Sequence, residues 1–170
     1  MTNFFKKILI ISLLLNYSFG SNSIKITLVE RISQFVQWPQ LNDKFIIGVY
    51  KNEQLKDKMN DIYKDKTIQR LPIEVYNIID FQDTRLKEVN VLYFTKEASP
   101  EVDKILKTVN NLAVLTITEF PNDVFEGMHL GLYYENQKIK FVINQESLEN
   151  AKLKASYKLL KLAKIVKSEK

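Results

Sequence analysis

The side chains that could carry out chemistry are few and widely scattered. The chain of 170 residues has one histidine, His129, and no cysteine, so thiol nucleophiles and Cys/His metal sites are almost excluded. None of its glycines opens a helix after a predicted strand, as a phosphate-binding loop requires. Glu101, Asp103 and Glu146 fall where the first turn of a predicted helix favours an acid. We therefore expect no catalytic, metal or cofactor site, a satisfied or surface His129, and a protein that is not an enzyme.

The first twenty residues have the pattern of a cleaved export signal. The basic start MTNFFKK is followed by the apolar run ILIISLLL and by Ser18-Phe19-Gly20, ahead of a cut at Ser21. The apolar run is about half as long as the ~20 residues of a membrane-spanning helix. We predict a signal peptide at residues 1–20 and a mature domain at residues 21–170 that does not itself span a membrane. An uncleaved anchor is the alternative.

The charge of the mature domain is mild. Loss of Lys6 and Lys7 with the signal lowers the formal net charge from +5 to +3. Nucleic-acid binding usually needs a clustered basic surface, so we expect no nucleic-acid partner.

Apolar periodicity predicts a single α/β domain. Strands alternate with helical segments, which is typical of crossover units and a largely parallel sheet. The last two strands are separated only by Glu135-Asn136-Gln137, which indicates an antiparallel hairpin. We expect a mostly parallel sheet flanked by helices, with a C-terminal antiparallel hairpin and a closing helix. Helices are predicted over 24–36, around 55–62 and from 99 to 109, and strands over 45–50, 71–78, 91–94, 112–117, 129–134 and 138–144.

The closing segment is unusually apolar for a helix on one face of a sheet. Wound as one helix from Leu153 to Val166, its apolar residues cover more than half of the circumference, whereas packing on a sheet needs a band of roughly 100°. The excess indicates either burial on two sides or an exposed apolar strip for a partner. The lysines either keep the helix soluble or pair with acidic residues of that partner. The apolar set is Tyr157, Leu159, Leu160, Leu162, Ala163 and Val166, and the lysine stripe is Lys154, Lys158 and Lys161.

Trp38 stands where Pro39 ends the first predicted helix. It either fills the edge of the core or forms the aromatic wall of a ligand or partner site. Both interpretations are open at this point.

Three segments, taken in their order and spacing, form a fairly specific signature. The first is Phe35-Val36-Gln37-Trp38-Pro39, and the second is the strand Val114-Leu115-Thr116-Ile117-Thr118 with its loop to Gly127-Met128. The third is Lys140-Phe141-Val142-Ile143-Asn144 with the segment from Leu153 to Ala163. With this signature the chain resembles the YfiR-like family of bacterial periplasmic proteins over nearly all of its mature length. It departs from the family pattern at Lys152, where a glycine usually precedes the leucine.

The resemblance implies a periplasmic regulator. The best-known behaviour in this family is binding to the periplasmic part of an inner-membrane diguanylate cyclase, which is held inactive; its release raises cyclic-di-GMP and favours biofilm. Similar domains also occur fused to sensor kinases. Such a protein acts by shifting the population of its partner's states. The expected partner is therefore a diguanylate cyclase or a sensor kinase, and a homodimer is a further option.

The alternative is a periplasmic sensor that binds a small molecule. In an open α/β sheet, ligands bind outside the carboxyl ends of the strands, which we expect near Trp38 and the loop from Thr118 to Gly127. Across both hypotheses, the residues predicted to contact a partner or ligand are Trp38, Met128, Lys154, Tyr157, Lys158 and Lys161.

Overall fold

Strands and helices alternate along the chain. The computed structural model describes residues 23–109 and 111–168, so the predicted signal peptide lies outside the described residues. No helix within those two ranges is long and apolar enough to cross a membrane. Short 3₁₀ turns lie at Thr84–Lys87, Lys96–Glu101 and Pro121–Val124. The other elements are α1 (residues 23–34), β1 (Val36–Gln37), β2 (Phe45–Tyr50), α2 (Glu53–Tyr63), β3 (Thr67–Ile68), β4 (Leu71–Ile78), β5 (Val91–Phe94), α3 (Val102–Val109), β6 (Leu115–Thr118), β7 (Leu130–Glu135), β8 (Lys138–Asn144), α4 (Gln145–Asn150), β9 (Lys154–Ala155), α5 (Tyr157–Leu160) and β10 (Lys164–Val166).

The strands build a mixed eight-stranded sheet in the order β10-β8-β7-β6-β5-β2-β4-β3. Strands β2, β4, β5, β6 and β7 run parallel to their neighbours within this set. Numbered along the chain, these five stand in the order 2-1-3-4-5, which is an order of doubly wound α/β sheets. Strand β8 is antiparallel to β7, and β10 adds in parallel to β8 at the edge. The predicted α/β fold, with a largely parallel sheet and a late hairpin, is confirmed.

The sheet is covered on both faces by two separate apolar cores. Alternate residues of β5 divide between them: Val91 and Tyr93 pack with residues of α1 and α2, whereas Leu92 and Phe94 pack with residues of α3. This division follows from the alternation of side chains along a strand. It also explains why β5 is apolar throughout, since a strand covered on both faces has no solvent-exposed face.

The hairpin turn is tighter than the sequence indicates. Glu135 pairs directly with Lys138, so the connection has two residues and not three. Asn136 and Gln137 both lie in the left-handed region, with φ of 51° and 60°. Positive φ at both central residues is the geometry of a type I′ turn, whose twist matches that of the flanking strands.

The prediction of one long closing helix from Leu153 to Val166 is wrong, because only Tyr157–Leu160 is helical. Lys152 adopts φ 60°, a left-handed conformation that interrupts the helical path after α4. Lys154 and Ala155 are then extended, and only the four residues of α5 are helical before the chain enters β10. Backbone pairing with distant strands has overridden the helical propensity of this stretch, which is a weak preference.

Candidate functional site

A two-stranded ribbon brings the first and last signature segments together. Strand β1 pairs antiparallel with β9, so that Val36 faces Ala155 and Gln37 faces Lys154. One residue further along, the backbone N–H of Ser156 donates to the carbonyl oxygen of Phe35 at 2.8 Å. Val36, which the sequence assigns to the first helix, is therefore extended.

Helix α5 is a single turn that is fixed from both sides. The hydroxyl oxygen of Ser156 accepts a hydrogen bond from the N–H of Leu159 at 3.3 Å, a cap at the start of the turn. The side chain of Leu159 is 3 % exposed and belongs to the core. Tyr157 faces the other way and is 75 % exposed. The turn therefore presents a large aromatic side chain to solvent on a firmly anchored backbone.

The chain around this aromatic side chain is rich in exposed lysines. The ammonium group of Lys161 lies 5.9 Å from the centroid of the Tyr157 ring, within the range of a cation–π contact. No aspartate or glutamate occurs between Asn150 and Ser168. Within the described part of the chain, no carboxylate forms a salt bridge with any of the lysines of this stretch. These exposed lysines are Lys152, Lys154, Lys158, Lys161, Lys164 and Lys167.

We call this surface the basic ribbon face. It combines exposed apolar side chains with lysines that form no salt bridge with a described carboxylate, and both lie on or beside the β1–β9 ribbon and the turn that follows it. Leu162, two residues after the end of α5, is as exposed as Tyr157. The face consists of Phe35, Lys154, Tyr157, Lys158, Lys161 and Leu162. Four of the six residues that the sequence predicts for contacts are therefore brought together here.

Trp38 is not part of this face. Its indole N–H donates to the carbonyl oxygen of Asn90 at 3.2 Å, and its ring meets Phe45 edge to face, with centroids 5.0 Å apart. Asn90 and Phe45 lie where β5 and β2 begin, at the amino ends of the parallel strands. The loop that follows Thr118 lies at the opposite, carboxyl edge. The hypothesis of one site formed by Trp38 and this loop is therefore wrong, and Trp38 closes the edge of the core.

Met128 is also unavailable for contact. Its side chain is 0 % exposed and packs in the core beneath α3. Its backbone N–H donates to the carbonyl oxygen of Asp123 at 3.1 Å, which fixes the end of the loop after β6. The prediction that Met128 touches a partner or ligand is contradicted by this burial.

His129 is a satisfied buried residue, one of the two alternatives that the sequence left open. Its ring nitrogen Nδ1 accepts a hydrogen bond from the backbone N–H of Thr116 at 3.0 Å, and its own N–H donates to the Thr116 hydroxyl at 2.9 Å. Burial lowers the pKa of His129 to about 4, because desolvation disfavours the charged imidazolium. The residue holds β6 and β7 together in its neutral form.

A buried carboxylate in the loop after β6 escaped the sequence analysis. Asp123 is 4 % exposed, and its two oxygens accept hydrogen bonds from the hydroxyls of Ser99 at 2.6 Å and Thr118 at 2.8 Å. Burial raises the pKa of Asp123, and the two hydroxyl donors partly oppose that shift. No periodicity marks such a residue, since its partners lie in other elements.

A second polar cluster lies at the carboxyl edge of the sheet. Glu119, just after β6, accepts hydrogen bonds from the ammonium of Lys25 and the hydroxyl of Tyr93, both at 2.6 Å. Lys25 and Glu119 border a cleft of about 280 Å³. In the described residues, no group of three or more His, Cys, Asp or Glu side chains could hold a metal ion.

Comparison with known proteins gives one family and a shared fold. A family model described as YfiR/HmsC-like matches residues 22–164. No curated protein matches the chain. A conserved domain protein from Vibrio cholerae O1 biovar El Tor is similar in structure, with a TM-score of 0.60 and 13 % identity, over 84 % of this chain and 60 % of that chain.

An ABC domain in complex with L-Trp from Streptococcus pneumoniae is also similar in structure. The TM-score is 0.58 and the identity 10 %, over 83 % of this chain and 59 % of that chain. The chain thus spans about 60 % of the length of both solved structures. At such identities the likeness shows the fold alone.

Proposed function

The chain belongs to the YfiR/HmsC-like family, and from this premise we propose that it is a periplasmic protein that binds the periplasmic part of an inner-membrane diguanylate cyclase and modulates its activity. The alternative partner is the periplasmic part of a membrane sensor kinase. By changing the activity of such an enzyme, the protein would alter cyclic-di-GMP and with it biofilm formation. The family is regulatory, and the proposal accordingly gives this protein no catalytic role.

The observation that carries the proposal is the basic ribbon face. Residues that contribute most to binding are enriched in tyrosine and arginine and lie on well-anchored surfaces. Tyr157 meets this description, because Leu159 and Ser156 hold its turn in place. Exposed large apolar side chains that lie close together mark interaction sites. Phe35 and Leu162 add to Tyr157 in this way.

The charge of the face indicates the chemistry of the partner. Lys154, Lys158 and Lys161 lie on it without acidic neighbours in the sequence. Opposite charges across an interface speed association and select partners, whereas like charges opposed to each other cost free energy. The face therefore suits an acidic surface on the cyclase. A homodimer that pairs this face with its own copy would oppose lysine to lysine, so we place any homodimer contact elsewhere.

The proposed mechanism needs no chemistry from this protein. Binding to one conformation of the cyclase's periplasmic part raises the population of that conformation by its differential affinity. Loss of binding returns the cyclase to its own equilibrium. The direction of the change in activity depends on which conformation the ribbon face fits.

The experiment uses the membrane cyclase in vesicles, with the mature chain added on the periplasmic side. We expect the wild-type chain to bind the cyclase and to change cyclic-di-GMP synthesis, and the variant Tyr157→Ala to lose most of both effects. Ile79→Ala is the matched control, since Ile79 is an exposed apolar residue in the turn after β4. Unchanged synthesis with saturating wild-type chain would reject the proposal.

A second candidate function is that of a periplasmic sensor for a small molecule. The cleft at the carboxyl edge of the sheet favours it, because that edge is where α/β sheets bind ligands. The two functions are compatible, since they use different surfaces.

A further inference from the structure

The cleft at the carboxyl edge lies where three elements meet. It is lined by residues that follow β5 and β6, by the hairpin of β7 and β8, and by the start of α1. The volume of about 280 Å³ is close to the lower end of small-molecule sites, roughly 300 Å³. The lining residues that matter here are Lys25, Lys96, Glu119, Phe120, Leu132 and Ile139.

Two of the three charged groups in this lining neutralise each other. Lys25 and Glu119 form a salt bridge of 2.6 Å between side chains that are 17 % and 16 % exposed. Glu119 also accepts the hydroxyl hydrogen bond of the buried Tyr93, so both of its carboxylate oxygens have donors. The acid of the cleft is therefore fully engaged by the protein itself.

Lys96 supplies the remaining charge. Its ammonium lies 6.0 Å from the centroid of the Phe120 ring, and within the described residues no carboxylate forms a salt bridge with it. The neighbouring Glu97 has its pKa lowered first by its own backbone N–H, then by the Thr95 side chain, and also by the positive charges of Lys25 and Lys96. Glu97 is not among the residues that line the cleft. The lining therefore carries one net positive charge.

The walls of the cleft are largely apolar, and Tyr133 and Tyr134 of the hairpin also line it. Phe120 and Pro121 form one side, and Leu132 and Ile139 of the hairpin form the other. A site that is largely apolar and whose lining carries one net positive charge recognises a molecule with an apolar body and a single anionic group, because the apolar part gains from burial and the anion from a charge-assisted hydrogen bond.

We propose that this cleft binds a small organic monoanion, a carboxylate with an aromatic or branched apolar body, whose carboxylate pairs with Lys96. The proposal stands independently of the docking of a cyclase on the basic ribbon face. It assigns Lys96 and Phe120 a role in ligand recognition.

The test is calorimetric titration of the mature chain with phenylacetate. Phenethylamine has a similar body with the opposite charge, and inorganic phosphate is an anion without an apolar body. We expect phenylacetate to bind and the other two probes to give no saturable heat. Absence of saturable binding of phenylacetate, or equal binding of phenethylamine, would overturn the proposal.

The variant Lys96→Met keeps the apolar stem of the side chain and removes its charge. Loss of a charge-assisted hydrogen bond should weaken phenylacetate binding about tenfold. Lys104→Met is the matched control, since Lys104 is an exposed lysine whose ammonium lies 5.5 Å from the ring centroid of Phe81, outside the cleft. The role of Lys96 would be contradicted if both variants weakened phenylacetate binding equally, or if neither variant weakened it. Both lysines are exposed, so we expect both variants to fold.

Discussion

The backbone N–H of Ser156 donates a hydrogen bond of 2.8 Å to the carbonyl oxygen of Phe35. This contact continues the β1–β9 ribbon by one residue and sets the place where α5 begins. An exposed phenylalanine from the start of the domain is thereby held beside the turn that carries Tyr157. The basic ribbon face depends on this junction.

Ser156→Pro should loosen the turn selectively. Ser156 has φ −66°, which a proline ring accepts, but the variant loses both the N–H that bonds to Phe35 and the hydroxyl that caps α5. We expect faster hydrogen exchange of the amides of residues 157–162, while those of β2 and β5 stay protected.

Ser156→Ala removes only the cap and serves as the milder control, with an expected loss of about 1 kcal/mol in the local free energy of opening. Unaltered exchange of residues 157–162 in the proline variant would show that the junction does not hold the turn.

Lys152→Gly should raise the free energy of unfolding. Lys152 has φ 60°, where a residue with a Cβ atom costs about 1–2 kcal/mol, while glycine brings an entropic penalty of about 0.5–1 kcal/mol. The expected gain lies between about 0 and 1.5 kcal/mol and is measured by urea denaturation. Lys64→Gly is the control, because Lys64 has φ −45° and glycine should destabilise the chain there. A loss of stability in both variants would show that the left-handed conformation carries no strain.

The stability of the fold should fall as the medium is acidified. His129 is neutral in the fold, with its pKa lowered to about 4 by burial, while in the unfolded chain it binds a proton below about 6.5. Acidification therefore favours the unfolded chain between these values. At about 1.4 kcal/mol per pKa unit, the loss approaches about 3 kcal/mol near pH 4.

His129→Asn keeps an acceptor near the Thr116 N–H and removes the titration. The difference between the urea-derived pH profiles of the two proteins isolates the histidine, since Asp123 and the surface carboxylates are common to both. Parallel profiles from pH 7 to 4 would contradict the burial of a neutral His129.

Sequence patterns were most informative where one element has a continuous apolar face. The strand at residues 45–50 and the helix marked by Leu55, Met59 and Ile62 were predicted on this basis, and the structure confirms them. Parallel pairing followed from the alternation of strands and helices. These features depend on local periodicity, which a single sequence displays.

The ribbon was not predictable in this way, and of the cleft only the part formed by the loop after Thr118 was expected. Strands β1 and β9 have two residues each, too few for any alternation, and they pair across most of the chain. Lys25 and Glu119 meet although they are 94 positions apart. Residues 153–166 have a helical pattern, but pairing with distant strands prevents a continuous helix there. The lysine stripe is exposed, as the sequence indicates. The sequence left the exposure of the apolar residues open, and the structure exposes Tyr157 on a single turn beside the ribbon while it buries Leu159.

The most direct test of the basic ribbon face is the affinity of the mature chain for the periplasmic domain of the cyclase. The triple variant K154E/K158E/K161E reverses the charge of the face, and K64E/K87E/K107E reverses three exposed lysines elsewhere. Each exposed charge pair contributes about 0.2–1 kcal/mol, so the triple variant at low salt should bind about tenfold more weakly or worse. Added salt should then strengthen its binding, because salt screens the repulsion between the new glutamates and the acidic partner surface. The control should bind as the wild type does. Equal affinities of the wild type and the triple variant would contradict the account.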